Sequence, residues 1–246
     1  MSTHQALRAL IWDVDGTIAE TEAEGHRVAF NQAFEAHGLP WRWDLATYGR
    51  LLEVTGGRER LLAFMQGRAD APATTEAREA LARVLHQDKN AFYAELVARG
   101  GIAARPGVRR LMDACTRERV ALAVATTTST SNVEALFTSL FGTGWRTRFA
   151  AVVCAEDAPR KKPDPQAYQL ALQRLGVAPH EALAIEDSPN GLKAARAAGI
   201  PCGITRSAYF ADAVFEGAAW VRPSLDQPSP MTLNLLRSEP SVKIVS

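Results

Sequence analysis

Cysteine is scarce in this chain. There are three among 246 residues, Cys115, Cys154 and Cys202, an odd number with no CxxC spacing. A disulfide framework and a structural zinc site are therefore not expected, and a reducing, cytoplasmic setting fits the composition. Long apolar runs are missing too: the densest, Val120 to Ala125, has the length of a strand, far short of the roughly 18 residues of a membrane span. The first residues, MSTHQALRALIWDVDG, lack the charged-then-apolar layout of a signal peptide. Charge of one sign is not in excess, because 28 basic residues face 27 acidic ones. No global field recruits nucleic acid or an anionic membrane. Internal repeats and low-complexity tracts are absent.

What is present is the material of a globular protein: 47% apolar residues, 22% charged, and ordinary glycine and proline counts of 17 and 13. At about 150 residues per domain, the length suggests one large domain or two unequal ones. Short apolar runs at Ala9–Asp15, ended by Gly16, and at Val120–Ala125, Ala151–Cys154, Ala182–Ile185, Pro201–Thr205 and, more weakly, Ala219–Val221 read as buried strands. Helix-period segments separate the later runs, at 108–119, 132–140, 165–175 and 191–198. Strands alternating with helices of this length predict a parallel sheet covered on both faces. Residues 22 to 99 break that pattern with four helical stretches and no strand. A helical block thus interrupts the α/β pattern after its first strand, and insertions of this size are tolerated because their ends lie close together. The expected organisation is a discontinuous core of residues 1–20 and 100–226, a helical insert of 21–99, and a tail from Gln227 carrying three prolines.

Four segments carry chemistry, and each has a plainer reading beside it. Asp13-Val-Asp15-Gly16-Thr17 puts two carboxylates on one face at the C-terminal end of a strand, where open α/β sheets bind ligands. One could attack an electrophile while the other shuttles a proton; alternatively, this is a solvated turn. Thr126-Thr127-Thr128-Ser129 follows the next apolar strand. Its hydroxyls and free N–H groups suit a phosphate oxygen, or Thr130 or Ser131 simply caps a helix. Lys162 lies in RKKPDP before a helix that Pro165 and Asp164 would open; it could neutralise a phosphate or belong to a basic surface loop. Glu186-Asp187-Ser188 again ends a strand, and with Asp13 and Asp15 it would form a hard-cation site of the kind that takes Mg²⁺. Taken together, all four fall on one rim of the sheet, and they are the parts needed for phosphoryl transfer through an aspartyl phosphate.

DVDGT, ATTTS, KKPDP and EDS, with a helical insert after the first, resemble the four motifs of the haloacid dehalogenase (HAD) superfamily in its phosphoglucomutase-like subclass. The resemblance spans the chain to about Leu225. The runs DVDGTIAETE, TGGRER and ATTTS…NVEAL, with His26, Trp41 and Trp43, are similar to the CbbY-like phosphatases, which hydrolyse xylulose 1,5-bisphosphate to xylulose 5-phosphate. The resemblance implies an α/β fold with a HAD-like Rossmannoid parallel-sheet core and an inserted small helical cap. It implies Asp13 as nucleophile and Asp15 as acid and base. Mg²⁺ would be held by Asp13, the Asp15 carbonyl and Asp187, with Glu186 adjacent. Thr126, the Thr127 N–H and Lys162 would hold the phosphoryl oxygens.

Specificity would come from the cap. Arg58 and Arg60 are candidates for a second phosphate, with Lys89, His26 and Glu20 also facing substrate; the plainer reading of such arginines is a solvated helix face. Trp41 and Trp43 are expected to pack within the cap. A sugar-phosphate phosphatase is the first expectation. A β-phosphoglucomutase-like mutase shares every core motif, and a non-catalytic HAD-fold binding module would have lost part of the acid and metal set. The expected partner is a small sugar phosphate, with neither nucleic acid nor membrane, and a monomer is the default.

Overall fold

The computed structural model describes residues 7–238. Six strands, β1 (Ala9–Trp12), β2 (Ala121–Ala125), β3 (Ala151–Val153), β4 (Ala182–Glu186), β5 (Cys202–Thr205) and β6 (Trp220–Arg222), form one sheet in the order β3-β2-β1-β4-β5-β6. Every neighbouring pair is parallel. β1 is therefore central, and the loops after β1, β2 and β4 open side by side on one rim, where a parallel sheet presents ligands.

Alternation along the strands sorts large from small side chains. Leu10 and Trp12 of β1, Leu122 and Val124 of β2, and Leu183 and Ile185 of β4 face one layer. Ala9 and Ile11, Ala123 and Ala125, and Ala182 and Ala184 face the other. The first layer includes residues of α5 (Val108–Arg117) and α6 (Thr130–Phe141); the second, residues of α7 (Gln166–Leu175) and α8 (Pro189–Ala197). Alanines on that second face let its helices approach closely.

The helical block comprises a π-helical turn at Glu22–His26, α1 (Arg27–Ala36), α2 (Leu45–Leu51), α3 (Gly57–Met65) and α4 (Thr75–Ala98). Its own core is aromatic: Phe30, Phe34, Trp41, Trp43 and Tyr48 are buried together. Trp41 and Trp43 are thus packing residues. The two crossings between core and cap lie side by side, with Ala19 bridging Ala104 and the Arg105 N–H bonded to the Ile18 carbonyl at 2.8 Å. Arg105 reinforces this hinge: its guanidinium donates to the Gly16, Thr205, Arg206 and Pro223 carbonyls and pairs with Glu20 at 3.2 Å.

Residues 227–238 are not a free tail. Met231, Leu233 and Leu236 are buried in the same cluster as α5 and α6, and Leu233–Ser238 forms a short helix, α9. Three apolar residues spaced over six positions outweigh the prolines before them, because they cover sheet-side surface that would otherwise face water. The remaining residues of the expected tail, 239–246, lie outside the described part.

Candidate active site

Strand β1 ends at Trp12, one residue before Asp13, so the two aspartates are not on one strand face as the spacing suggested. Asp13 continues the ladder by one hydrogen bond, its N–H to the Ile185 carbonyl at 3.0 Å. The chain then turns at Gly16, whose φ of 80° favours glycine. A Cβ there would stand 2.1 Å from Asp187 Oδ2. The turn sends the two carboxylates to different partners.

Asp13 joins the core set. Its Oδ1 accepts a hydrogen bond from Lys162 Nζ at 2.6 Å, and the same ammonium donates to Glu186 Oε1 at 2.6 Å. Glu186 is fully occupied elsewhere as well, accepting from the Tyr168 hydroxyl at 2.8 Å, the Asp187 N–H and Ser188 Oγ. Asp13, Glu186 and Asp187 bring carboxylate oxygens within 4.8 Å of one another, all buried. Burial, then repulsion from Glu186, raises the Asp13 pKa well above the carboxylate range; burial, then Asp13 and Glu186, does the same for Asp187. Burial opposes the charge on Lys162, yet Asp13 and Glu186 together raise its pKa. One ammonium cannot neutralise three carboxylates. This donor set fits a hard divalent cation, which prefers a few carboxylate oxygens.

Asp15 faces the cap. Burial would raise its pKa, but His26, Thr21 and Lys89 outweigh that and hold it at about 2. The Thr21 hydroxyl donates to Asp15 Oδ1 at 2.5 Å, and His26 Nε2 lies 2.9 Å from the same oxygen. His26 in turn stacks on Tyr93, with ring centroids 4.2 Å apart. Lys89, on the middle of α4, reaches His26 Nδ1. Burial lowers its pKa to about 7 against the pull of Asp15 and Glu22.

Between core and cap is a cavity of about 280 Å³ lined by Asp13, Asp15, Thr126, Thr127, Lys162 and Asp187 from the core and by Glu20, Glu22 and Arg60 from the other wall. Its size suits a small metabolite. Thr126 is buried at the end of β2, and its hydroxyl accepts from the Thr128 N–H at 3.2 Å. Neither Thr130 nor Ser131 caps α6; Ser129 holds that position, and Glu156 accepts from the Thr130 N–H. Arg60 is buried, donating to the Leu51 carbonyl at 3.1 Å and to the Tyr48 hydroxyl at 3.0 Å, and Tyr48 donates to Glu22 at 2.5 Å. Glu20 is half-exposed and paired with Arg105.

The structure thus brings together Asp13, Asp15, Thr126, Thr127, Lys162, Glu186 and Asp187, with Glu20, His26, Arg60 and Lys89 around them. Arg58 departs from the expectation: it is exposed and lines neither this cavity nor the smaller recess beneath the cap. Helical geometry separates it from Arg60, because two residues apart on a helix point in different directions. Sequence reasoning missed Thr21, Glu22, Tyr48 and Arg105. Thr21 and Glu22 carried a weak signal, their position just after the DVDG turn; Tyr48 and Arg105 carried none, being brought in by the cap's fold and the hinge.

Residues 7–199 match the family description of haloacid dehalogenase-like hydrolases. The chain belongs to this family. It is a hydrolase of the phosphatase type. Among curated relatives, it is 44% identical to the plasmid protein CbbY of Cupriavidus necator over 91% of this chain and 87% of that one. It is 42% identical to CbbY of Cereibacter sphaeroides, over 86% and 90%. The crystal structure of CbbY from Rhodobacter sphaeroides in complex with phosphate superposes with a TM-score of 0.85 at 39% identity, covering 92% of this chain and 97% of that one. A mutant of the same protein in complex with xylulose-(1,5)bisphosphate matches equally well, with a TM-score of 0.85. Among the described residues, no helix of this HAD hydrolase is long and apolar enough to cross a membrane.

Proposed function

We propose that this HAD hydrolase is a Mg²⁺-dependent sugar-phosphate phosphatase, converting xylulose 1,5-bisphosphate to xylulose 5-phosphate through an aspartyl phosphate on Asp13. The observation that carries the mechanism is the divergence of the two aspartates: Asp13 is tied to Lys162, whereas Asp15 is tied to His26 and Thr21. Groups that part in this way can serve as nucleophile and as acid and base. The similarity to a protein crystallised with xylulose-(1,5)bisphosphate supports the substrate.

A dianionic phosphate approaching Asp13 meets like charge. Lys162 offsets it from one side, and Thr126 with the Thr127 N–H offers donors to the phosphoryl oxygens. Asp13, the Asp15 carbonyl and Asp187 would hold Mg²⁺, which would supply further positive charge at the transferring group. Glu186, saturated with donors, holds Lys162 in place behind the nucleophile. Asp13 attacks phosphorus, the bond to the sugar oxygen breaks, and Asp15 delivers a proton to that oxygen. Asp15 is anionic in the free chain; the arriving phosphate charge raises its pKa, and it takes up from solvent, as substrate binds, the proton that it delivers. It then acts as base, taking a proton from the water that cleaves phospho-Asp13. Arg60 is the cation available to the distal phosphate, since it lines the cavity and Lys89 does not. Glu20 faces the sugar.

The test is phosphate release from xylulose 1,5-bisphosphate and from β-glucose 1-phosphate, run in parallel with Mg²⁺. Phosphate release from the bisphosphate is expected. An isomerised sugar phosphate with no released phosphate would overturn hydrolysis in favour of a mutase.

A further inference from the structure

Two core side chains grip the part of the cap that forms the far wall of the cavity. The connection from α2 to α3 brings Leu52, Glu53 and Thr55 to that wall, and Arg60 follows within the first turns of α3. Asn190, in the first turn of α8 and three residues after Asp187, donates its side-chain amide to this connection. The acceptors are the Glu53 carbonyl at 3.2 Å and Thr55 Oγ1 at 3.0 Å.

The second grip comes from the loop after β5. Tyr209 lays its ring against Gly49 of α2, where an added Cβ would stand 3.1 Å from the ring. Its centroid is 5.9 Å from that of Tyr48. Phe210, next in the chain, packs against both the core cluster and the aromatic cluster of the cap. The Tyr209 hydroxyl is buried without a hydrogen-bond partner of normal length and angle. Arg27, committed to the Ala23 and Trp43 carbonyls, is near enough to act on its charge. The ring, not the hydroxyl, therefore makes this contact.

We propose that Asn190 and Tyr209 are positioning residues that clamp α2 and the α2–α3 connection onto the core and so set affinity for the part of the substrate beyond the transferring phosphoryl group. The physical reason is a division of labour. Asp13, Thr126, Lys162 and Asp187 all belong to the core and stay in place whether or not the connection is held. Arg60 and Glu22 belong to the cap, and Arg60 is anchored on the Leu51 carbonyl and Tyr48 within the clamped segment. Releasing the segment moves the distal recognition groups and leaves the groups around phosphorus untouched. This inference rests on the sugar-phosphate reading above.

The test compares the sugar phosphate that the wild-type chain hydrolyses best with p-nitrophenyl phosphate, which has no distal part. Asn190→Ala is expected to raise KM for the sugar phosphate about 5–30-fold, the cost of one or two hydrogen bonds. Its kcat on p-nitrophenyl phosphate should stay within about twofold of wild type, which also reports correct folding. Thr55→Val should act in the same direction, and the double variant should be no worse than Asn190→Ala alone, because both remove one interaction. Tyr209→Ala should raise KM similarly, while Tyr209→Phe, which keeps the ring, should match wild type. Equal losses of kcat on both substrates with KM unchanged, strictly additive effects of Asn190→Ala and Thr55→Val, or a Tyr209→Ala variant identical to wild type would each overturn the clamp. A wild-type chain that hydrolyses p-nitrophenyl phosphate and no sugar phosphate would instead overturn the substrate reading, and the clamp with it.

Discussion

Lys89 Nζ stands 2.8 Å from His26 Nδ1, two basic side chains in direct contact inside the protein. The contact is tolerable because each has a compensating feature. The second His26 nitrogen meets the Asp15 carboxylate, and burial brings the Lys89 pKa down from 10.5 to about 7. A Lys89 Nζ that donates to His26 Nδ1 leaves Nε2 to donate to Asp15, which orients the ring.

Lys89→Met should therefore separate stability from activity. Between about pH 7 and pH 10.5 the unfolded chain carries a proton on Lys89 that the folded chain has lost. Wild-type stability from this group consequently rises with pH across that interval, and the burial penalty is complete below it. The variant should be more stable than wild type at pH 7, with the gap narrowing toward pH 10, as read by thermal melts. Its kcat should fall about 10²-fold, since Asp15 loses its oriented partner. A gap that widens with pH would contradict the assignment.

Asp13→Asn should abolish phosphate release without unfolding the chain. The raised Asp13 pKa means that the folded state penalises the carboxylate; the penalty grows as pH rises through the folded pKa and is complete above it. Asparagine removes it while still accepting from Lys162. The melting temperature at neutral pH, without metal, should be no lower than that of wild type, and kcat should drop on the order of 10³-fold or more. Turnover at the wild-type rate would exclude an aspartyl phosphate.

Magnesium should stabilise the folded chain and not merely activate it. Buried carboxylates at Asp13, Glu186 and Asp187 repel one another, and a cation that binds only the folded form raises its melting temperature by mass action. The shift on adding MgCl₂ to chelator-treated protein should be clear for wild type and much smaller for Asp187→Asn. Equal shifts in the two proteins would place the cation elsewhere.

Met231→Ala should destabilise the core even though it lies in what reads as a tail. Met231 is fully buried, its N–H bonds the Leu225 carbonyl at 2.7 Å, and Arg110 donates to its carbonyl at 2.8 Å. Truncating a side chain so placed costs about 2–5 kcal/mol, measurable by chemical denaturation. A cost near zero would mean that the segment is dispensable.

Much of this protein is written locally. The strand runs, the helix periods and the helical interruption after the first strand follow from nearest-neighbour chemistry, because apolar periodicity and turn residues act over a few positions. The motif residues Asp13, Lys162 and Asp187 were legible for the same reason: each sits where a strand ends or a helix is about to begin. Other features depend on chain segments distant in sequence. The aspartate pair parts because the Gly16 turn and the Asp187 side chain share one space. Lys89 becomes a partner of His26 across 63 positions only when α4 packs against α1 and the turn at Glu22–His26, and the Tyr48–Arg60 anchor needs α2 and α3 together. Arg58 and Arg60 looked equivalent in the TGGRER run, yet burial took one and left the other in solvent. Periodicity can say that a residue faces inward, but which group it meets there is decided by packing between elements far apart in the chain.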